Sequence, residues 1–177
     1  FYAGSDIPSM GEARGKIVLM RRYAVDSEAA KELGLTTAQF GIDLTDWDSY
    51  DYSAQKRAVE IYSNGKDPLD IDYNAVYVQD AYKNTGGSKW PYITGTMAQT
   101  TGSLTGDDAI YNIKGNPWIF NYTSAARGFP LGITKDINPK LMRDSSSDGA
   151  GYIDNRRLGI MMLNFLNGQN ARLIYES

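Results

Sequence analysis

The sequence contains no histidine and no cysteine, and each absence removes a class of chemistry. Histidine is the usual general acid or base near neutral pH and the commonest zinc ligand. Serine–histidine triads and histidine-based metal sites are therefore excluded within these 177 residues. Without cysteine there is no disulfide framework and no thiolate metal site, and the redox compartment cannot be read from cysteine usage. Positive charge is not in excess: 18 Lys and Arg against 21 Asp and Glu give a net charge of −3. A nucleic-acid binder needs clustered basic residues, so nucleic acid is not an expected partner, and charge alone would not hold the chain on an anionic membrane. No apolar run approaches the roughly 20 residues that cross a bilayer. No signal peptide is visible, and a start at Phe1 rather than methionine leaves room for a removed targeting segment. What remains for chemistry is carboxylates, Lys, Arg and Tyr, or groups supplied by another chain.

With 42% hydrophobic and 22% charged residues, the composition is that of one ordinary soluble domain with a substantial core. The stretch around which the chain is organised is GKIVLMRRY (15–23), an apolar run ending in two arginines. Ile17 to Met20 read as a strand covered on both faces. Strand alternation sends Arg21 and Arg22 to opposite sides at its carboxyl end, so one of them faces inward. Ligand-binding groups collect at the carboxyl ends of strands that are buried between helices.

Residues 1–14 read as an extended lead-in. In SEAAKELG (27–34), Ser27 is positioned as an N-cap and Gly34 as a stop, which predicts a short helix. Residues 35–52 lack a sustained period and suggest a structured loop in which Trp47 packs. SAQKRAVEIY (53–62) has helical composition, ended by Asn64-Gly65. Ala75 to Gln79 is a second strand running into Asp80 and Tyr82. Lys89 to Ser103 reads as an irregular helix whose limits Pro91 and Gly95 blur. Trp118 to Tyr122 is a third strand, and the sequon at Asn121 within it reads as an incidental match. Residues 124–137 read as a Gly and Pro loop, Asn138-Pro139 as the start of a short helix, and 145–151 as a turn. Leu158 to Leu163 is a fourth strand ending at Asn164 and Phe165, followed by a helix from about 169 to 175.

The fold class read from this alternation is α/β, with about four parallel strands. An eight-unit (β/α) barrel takes about 250 residues, so a chain of this length corresponds to half of a TIM-type barrel. Its open strand edges would need a partner. An aspartate-based glycosidase has acids at hand in Asp43, Asp46, Asp48 and Asp80, but no convincingly spaced pair.

Five segments carry a family resemblance: GEARGKIVLMRRY (11–23), VYVQDAYK (76–83), WIFNYTS (118–124), INPKL (137–141) and RLGIMMLNF (157–165). Their order and approximate spacing resemble phosphatidylinositol-specific phospholipase C of the bacterial and fungal X-domain group, over most of the chain but with connections of different length. The resemblance covers the C-terminal half of that family's distorted barrel, from near its fifth strand. The family's two catalytic histidines, its phosphate-binding arginine and a lysine of its inositol pocket belong to the other half. The resemblance implies metal-independent phosphodiester cleavage without a cofactor. The inositol 2-hydroxyl would attack phosphorus, releasing cyclic inositol phosphate and diacylglycerol from an inositol phospholipid or glycolipid anchor.

Residue by residue, it implies that Arg22 hydrogen-bonds inositol hydroxyls, that Asp80 accepts from them, and that Tyr82 packs against the ring, in one pocket. Those residue types suit a polyhydroxylated ring, since they supply a fixed guanidinium fork, an acceptor and an aromatic face. Asn164 stands where the family usually carries the aspartate that orients the general-base histidine. The implied partners are the N-terminal half of the barrel, as a second chain or another segment, and the inositol lipid. Peripheral membrane contact would use Phe129 in the 125–132 loop, and a secreted or extracellular setting is expected. The alternative is a catalytically inactive inositol- or sugar-binding module.

Overall fold

The computed structural model describes residues 1–49, 56–64, 74–100, 117–125, 129–141 and 159–165. The expected turn at 145–151 and the helix at 169–175 lie outside them. The described residues form an α/β arrangement of helices and short strands, grouped into two compact units.

The first unit holds residues 1–49, 61–64, 74–76 and 117. Its lead-in contains a one-turn helix, α1 (Met10–Ala13), closed by a capping box in which Ser9 and Glu12 bond each other's backbone N–H. Strand β1 (Met20–Arg21) pairs in parallel with β2 (Ile42–Asp43), with Met20 opposite Ile42 and Arg21 opposite Asp43. Before it, Tyr2 bridges Val18, also in parallel. The strand expected over residues 17–20 is thus shorter and displaced, and it is not covered on both faces, since Ile17 is 65% exposed. Pairing engages a strand's edges, and its faces stay open unless another layer packs on them. Between these strands, α2 (Ser27–Glu32) is capped by Asp26, one residue earlier than expected, whose carboxylate accepts from the N–H groups of Glu28 and Ala29. Gly34 stops the helix at φ +68, and its N–H bonds Lys31 while that of Leu35 bonds Ala30. That is the paired closure that a left-handed residue permits. The expected loop at 35–52 contains β2 and two short 3₁₀ turns, Thr37–Phe40 and Thr45–Ser49, and Trp47 is buried in it as expected.

The second unit holds residues 56–60, 77–100, 118–125, 129–141 and 159–165. Strands β3 (Val59–Ser63), β4 (Ala75–Gln79), β5 (Trp118–Tyr122) and β6 (Ile160–Met162) form a four-stranded sheet in that order. Residues 61–63 of β3 and 75–76 of β4 are grouped with the first unit. β5 and β6 are parallel, with Phe120 opposite Ile160 and Tyr122 opposite Met162. Where a helix was expected at 53–62, residues 59–63 are a strand. The alternation of Val59, Ile61 and Ser63 with Glu60 and Tyr62 outweighs the helical composition upstream.

Helix α3 (Gly86–Thr100) and helix α4 (Pro130–Leu141) supply the core. Ile93 and Met97 of α3 meet Ile133, Ile137 and Leu141 of α4, with Ala125 alongside. Both sets recur at four-residue steps, the apolar stripe of a helix. α4 starts well before the expected Asn138-Pro139, with Pro130 in the first position, where its missing N–H costs nothing. β6 alternates cleanly: Met161 and Leu163 pack on the core, while Ile160 and Met162 face out.

Candidate functional site

Strand β4 is buried at all five positions, and its carboxyl end is where polar groups begin. Gln79, its last residue, is 1% exposed, and its side-chain amide is fully used. Nε2 donates to Asn121 Oδ1 at 2.7 Å and to the Tyr122 carbonyl at 2.9 Å. Oε1 accepts from the Ala81 N–H at 2.8 Å and from Lys89 Nζ at 2.8 Å. Two donors and two acceptors saturate the amide and fix which way it points. Asn121 in turn donates to the Ile93 carbonyl of α3 at 3.1 Å. Being 0% exposed, Asn121 cannot serve as a glycosylation acceptor in the folded protein. This network ties the carboxyl end of β4 to that of β5.

Lys89, in the first turn of α3, has no exposed surface. Burial pushes its ammonium down to about 8, against the Asp80 carboxylate, which pulls the other way. Sequence reasoning did not single out this residue. The available signal was spacing, because Lys89 stands four and eight residues before Ile93 and Met97, on the apolar stripe of α3.

Past Gln79 the chain turns tightly: the Tyr82 N–H donates to the Asp80 carbonyl at 2.7 Å and that of Asn84 to Ala81 at 3.2 Å. The turn leaves Asp80 half-buried and Tyr82 44% exposed. Lys83 Nζ lies 5.8 Å from the centre of the Tyr82 ring.

At the carboxyl ends of β5 and β6, Thr123 continues the ladder, donating its N–H to the Met162 carbonyl at 3.1 Å. A cleft of about 350 Å³ opens there, lined by Tyr122, Ser124, Met161, Met162, Leu163 and Asn164. Asn164 is half-buried, and Phe165 beside it has φ +52. A non-glycine residue held there is uncommon, and such residues concentrate at functional sites. Phe129, ahead of α4, is 87% exposed.

Arg22 belongs to the first unit. Strand alternation operates as expected there, and it is Arg21 that turns in, at 6% exposure. Its guanidinium donates to Asp43 Oδ2 at 2.6 Å and to the Tyr23 carbonyl at 2.8 Å. Burial pushes the Asp43 carboxyl up, but the Thr45 hydroxyl and N–H, together with Arg21, outweigh it and hold the carboxyl below its ordinary value. Arg22 turns out, and its guanidinium carbon sits 4.3 Å over the Trp47 ring. Stacking engages the face of a guanidinium, whereas its N–H donors lie in the plane. Asp80, Tyr82, Lys89 and Asn164 all belong to the second unit. Among the described residues, no group of three or more Asp or Glu side chains could hold a metal ion.

No protein-family model matches the sequence, and no curated protein matches it. Among solved structures, the fold is similar to phosphatidylinositol-specific phospholipase C of S. aureus, in a structure concerned with modulation of that enzyme's membrane binding. The TM-score is 0.58 at 20% sequence identity, covering 100% of this chain and 52% of the other. The chain thus spans about half the length of the structure it matches, and the likeness is one of fold.

Proposed function

We propose that this chain is the headgroup-binding half of a metal-independent phosphatidylinositol phosphodiesterase, completed by a histidine-bearing half supplied as a second chain or another segment. The observation that carries the reading is the fold likeness along the whole chain to half of such an enzyme, in a sequence with no histidine of its own. Arg22 offers a guanidinium braced on Trp47 to the ring hydroxyls, Asp80 accepts from them, and Tyr82 covers the ring. The histidines of the completing half would move the protons. The substrate class is an inositol phospholipid or a glycolipid anchor, cleaved to cyclic inositol phosphate and diacylglycerol. Phe129, exposed ahead of α4, would add apolar contact at the lipid surface.

A second reading is favoured by one residue. Asn164 places an uncharged amide where the resemblance calls for a carboxylate, which suits an inositol- or sugar-binding module that has lost catalysis.

Calorimetric titration with myo-inositol tests what the two readings share: saturable binding that is weakened at least tenfold by Arg22→Ala and by Asp80→Ala. Absence of binding at millimolar myo-inositol would sink both. The intact masses of the protein purified from its source separate them. A second polypeptide of similar size, or one longer chain, supports the phosphodiesterase, and a lone 19.6 kDa species supports the module.

A further inference from the structure

Lys89 is hard to explain as a stabilising residue. A buried ammonium loses its hydration, and an apolar side chain of similar volume in its place is often neutral or stabilising. Its position in the first turn of α3 adds the positive end of the helix dipole to that cost. Two features offset the cost, and both belong to the carboxyl end of β4. Gln79 Oε1 accepts from Nζ at 2.8 Å, and the Asp80 carboxylate acts on the ammonium by charge. Titratable groups also stand on the segments packed against α3: Lys56 and Arg57 ahead of β3, Tyr122 on β5, and Lys135, Asp136 and Lys140 on α4. Lys140 is turned to Asp136 at 3.0 Å and to the Trp90 ring. Among the described residues, Asp80 is the charge that acts on Lys89.

Gln79 passes the arrangement on. With Oε1 held by Lys89 and the Ala81 N–H, Nε2 can point only toward Asn121 and the Tyr122 carbonyl. One buried cation therefore sets the amide that joins two strand ends and also sets the field felt by the next residue, Asp80. We propose that Lys89 is a positioning residue of the headgroup site: through Gln79 it locks the carboxyl ends of β4 and β5 in register and, by the Ala81 N–H that the same Gln79 oxygen holds, fixes the turn that carries Asp80. This inference rests on the inositol-binding reading above, and it requires no contact between Lys89 and ligand.

The test follows the Asp80 side-chain carboxyl by ¹³C NMR in the intact chain, alongside myo-inositol affinity and the urea unfolding midpoint. In the unsubstituted protein the Asp80 resonance shows a second step as Lys89 loses its proton near pH 8. Lys89→Met abolishes that step and weakens myo-inositol binding about tenfold, with the midpoint unchanged or raised. If Lys89 is only structural, the variant lowers the midpoint and leaves the Asp80 titration and the affinity as they were, which overturns the proposal. Should Lys89→Met fail to fold, the unsubstituted protein still decides: an Asp80 resonance without a step near pH 8 overturns it. A protein that does not bind myo-inositol but shows the step refutes the functional reading while leaving the Lys89–Asp80 coupling in place.

Discussion

Gln79 and Asn121 face each other across neighbouring strands with 2.7 Å between Nε2 and Oδ1, and neither amide has an alternative orientation that keeps its partners. Reversing Gln79 would aim a donor at the Ala81 N–H and at an ammonium. Gln79→Leu removes both halves of the pairing and leaves Lys89, Asn121 and the Ala81 N–H unsatisfied in the interior. The expected loss is about 2–4 kcal/mol, read as a lower urea midpoint at unchanged slope. Gln79→Glu keeps an acceptor for Lys89 but gives up the donor to Asn121, so a smaller loss is expected.

The depressed Lys89 ammonium makes stability depend on pH in a definite direction. In the folded protein it titrates near 8, against an ordinary value of 10.5. Between those values the unfolded chain binds more protons, so stability rises with pH across that window. Below about 8 the full cost of the buried charge is present, on the order of 3 kcal/mol. The quantity to measure is the difference from Lys89→Met, in which the titrations of all other groups cancel. Urea midpoints of the two proteins should converge between pH 8 and 10.5, and a constant gap would refute the assignment.

Helix α3 approaches the chain ahead of β3 closely at Gly95, where a Cβ would collide with the Lys56 carbonyl. One turn later Gln99 holds Ala58 from both sides, accepting from its N–H at 3.0 Å and donating to its carbonyl at 3.1 Å. Gly95→Ala should therefore push the helix away and stretch that pair. A destabilisation of about 1–3 kcal/mol is expected in spite of alanine's better helix propensity. Hydrogen exchange at the Ala58 amide should speed up with it.

Asn164 lines the cleft at the ends of β5 and β6. On the proposed phosphodiesterase reading a histidine-bearing half brings its base to this cleft, and a carboxylate at this position would then hold the imidazole tautomer and stabilise the imidazolium. In serine proteases, replacing the corresponding carboxylate by an amide costs roughly 10⁴ in rate. Asn164→Asp is expected to raise phosphodiester cleavage by the completed protein about tenfold or more. An unchanged rate would show that this position does not orient the base.

Much of the second unit was legible in the sequence. β4 and β5 fall at their expected residues because an apolar run bounded by turn formers has few other solutions. The Gly34 stop was readable because a left-handed residue at a helix end favours glycine. Asp26 took the cap from Ser27 because either oxygen could reach the first-turn N–H groups, and only the backbone path decides which does. Alternation alone gave Arg21 and Arg22 equal claims to the inward side, and what separates them is β2, with Asp43 opposite Arg21. That pairing depends on a two-residue strand inside what reads as loop. Lys89 escaped notice because a lysine is ordinarily a surface residue, and its acceptor, Gln79, carries no sequence signal of its own.

The parallel pairing of β5 with β6 also has a kinetic meaning. Thr123 and Met162, joined at the end of that ladder, are 39 residues apart in the chain. Closing so long a loop loses entropy before any contact compensates. Gly159 makes the docking sterically demanding too, because at φ +74 it brings the backbone against the Ile119 carbonyl. β6 should therefore join a sheet already built on α3 and α4. Truncating Met161 would then accelerate unfolding and leave the folding rate nearly untouched, giving a φ-value near zero.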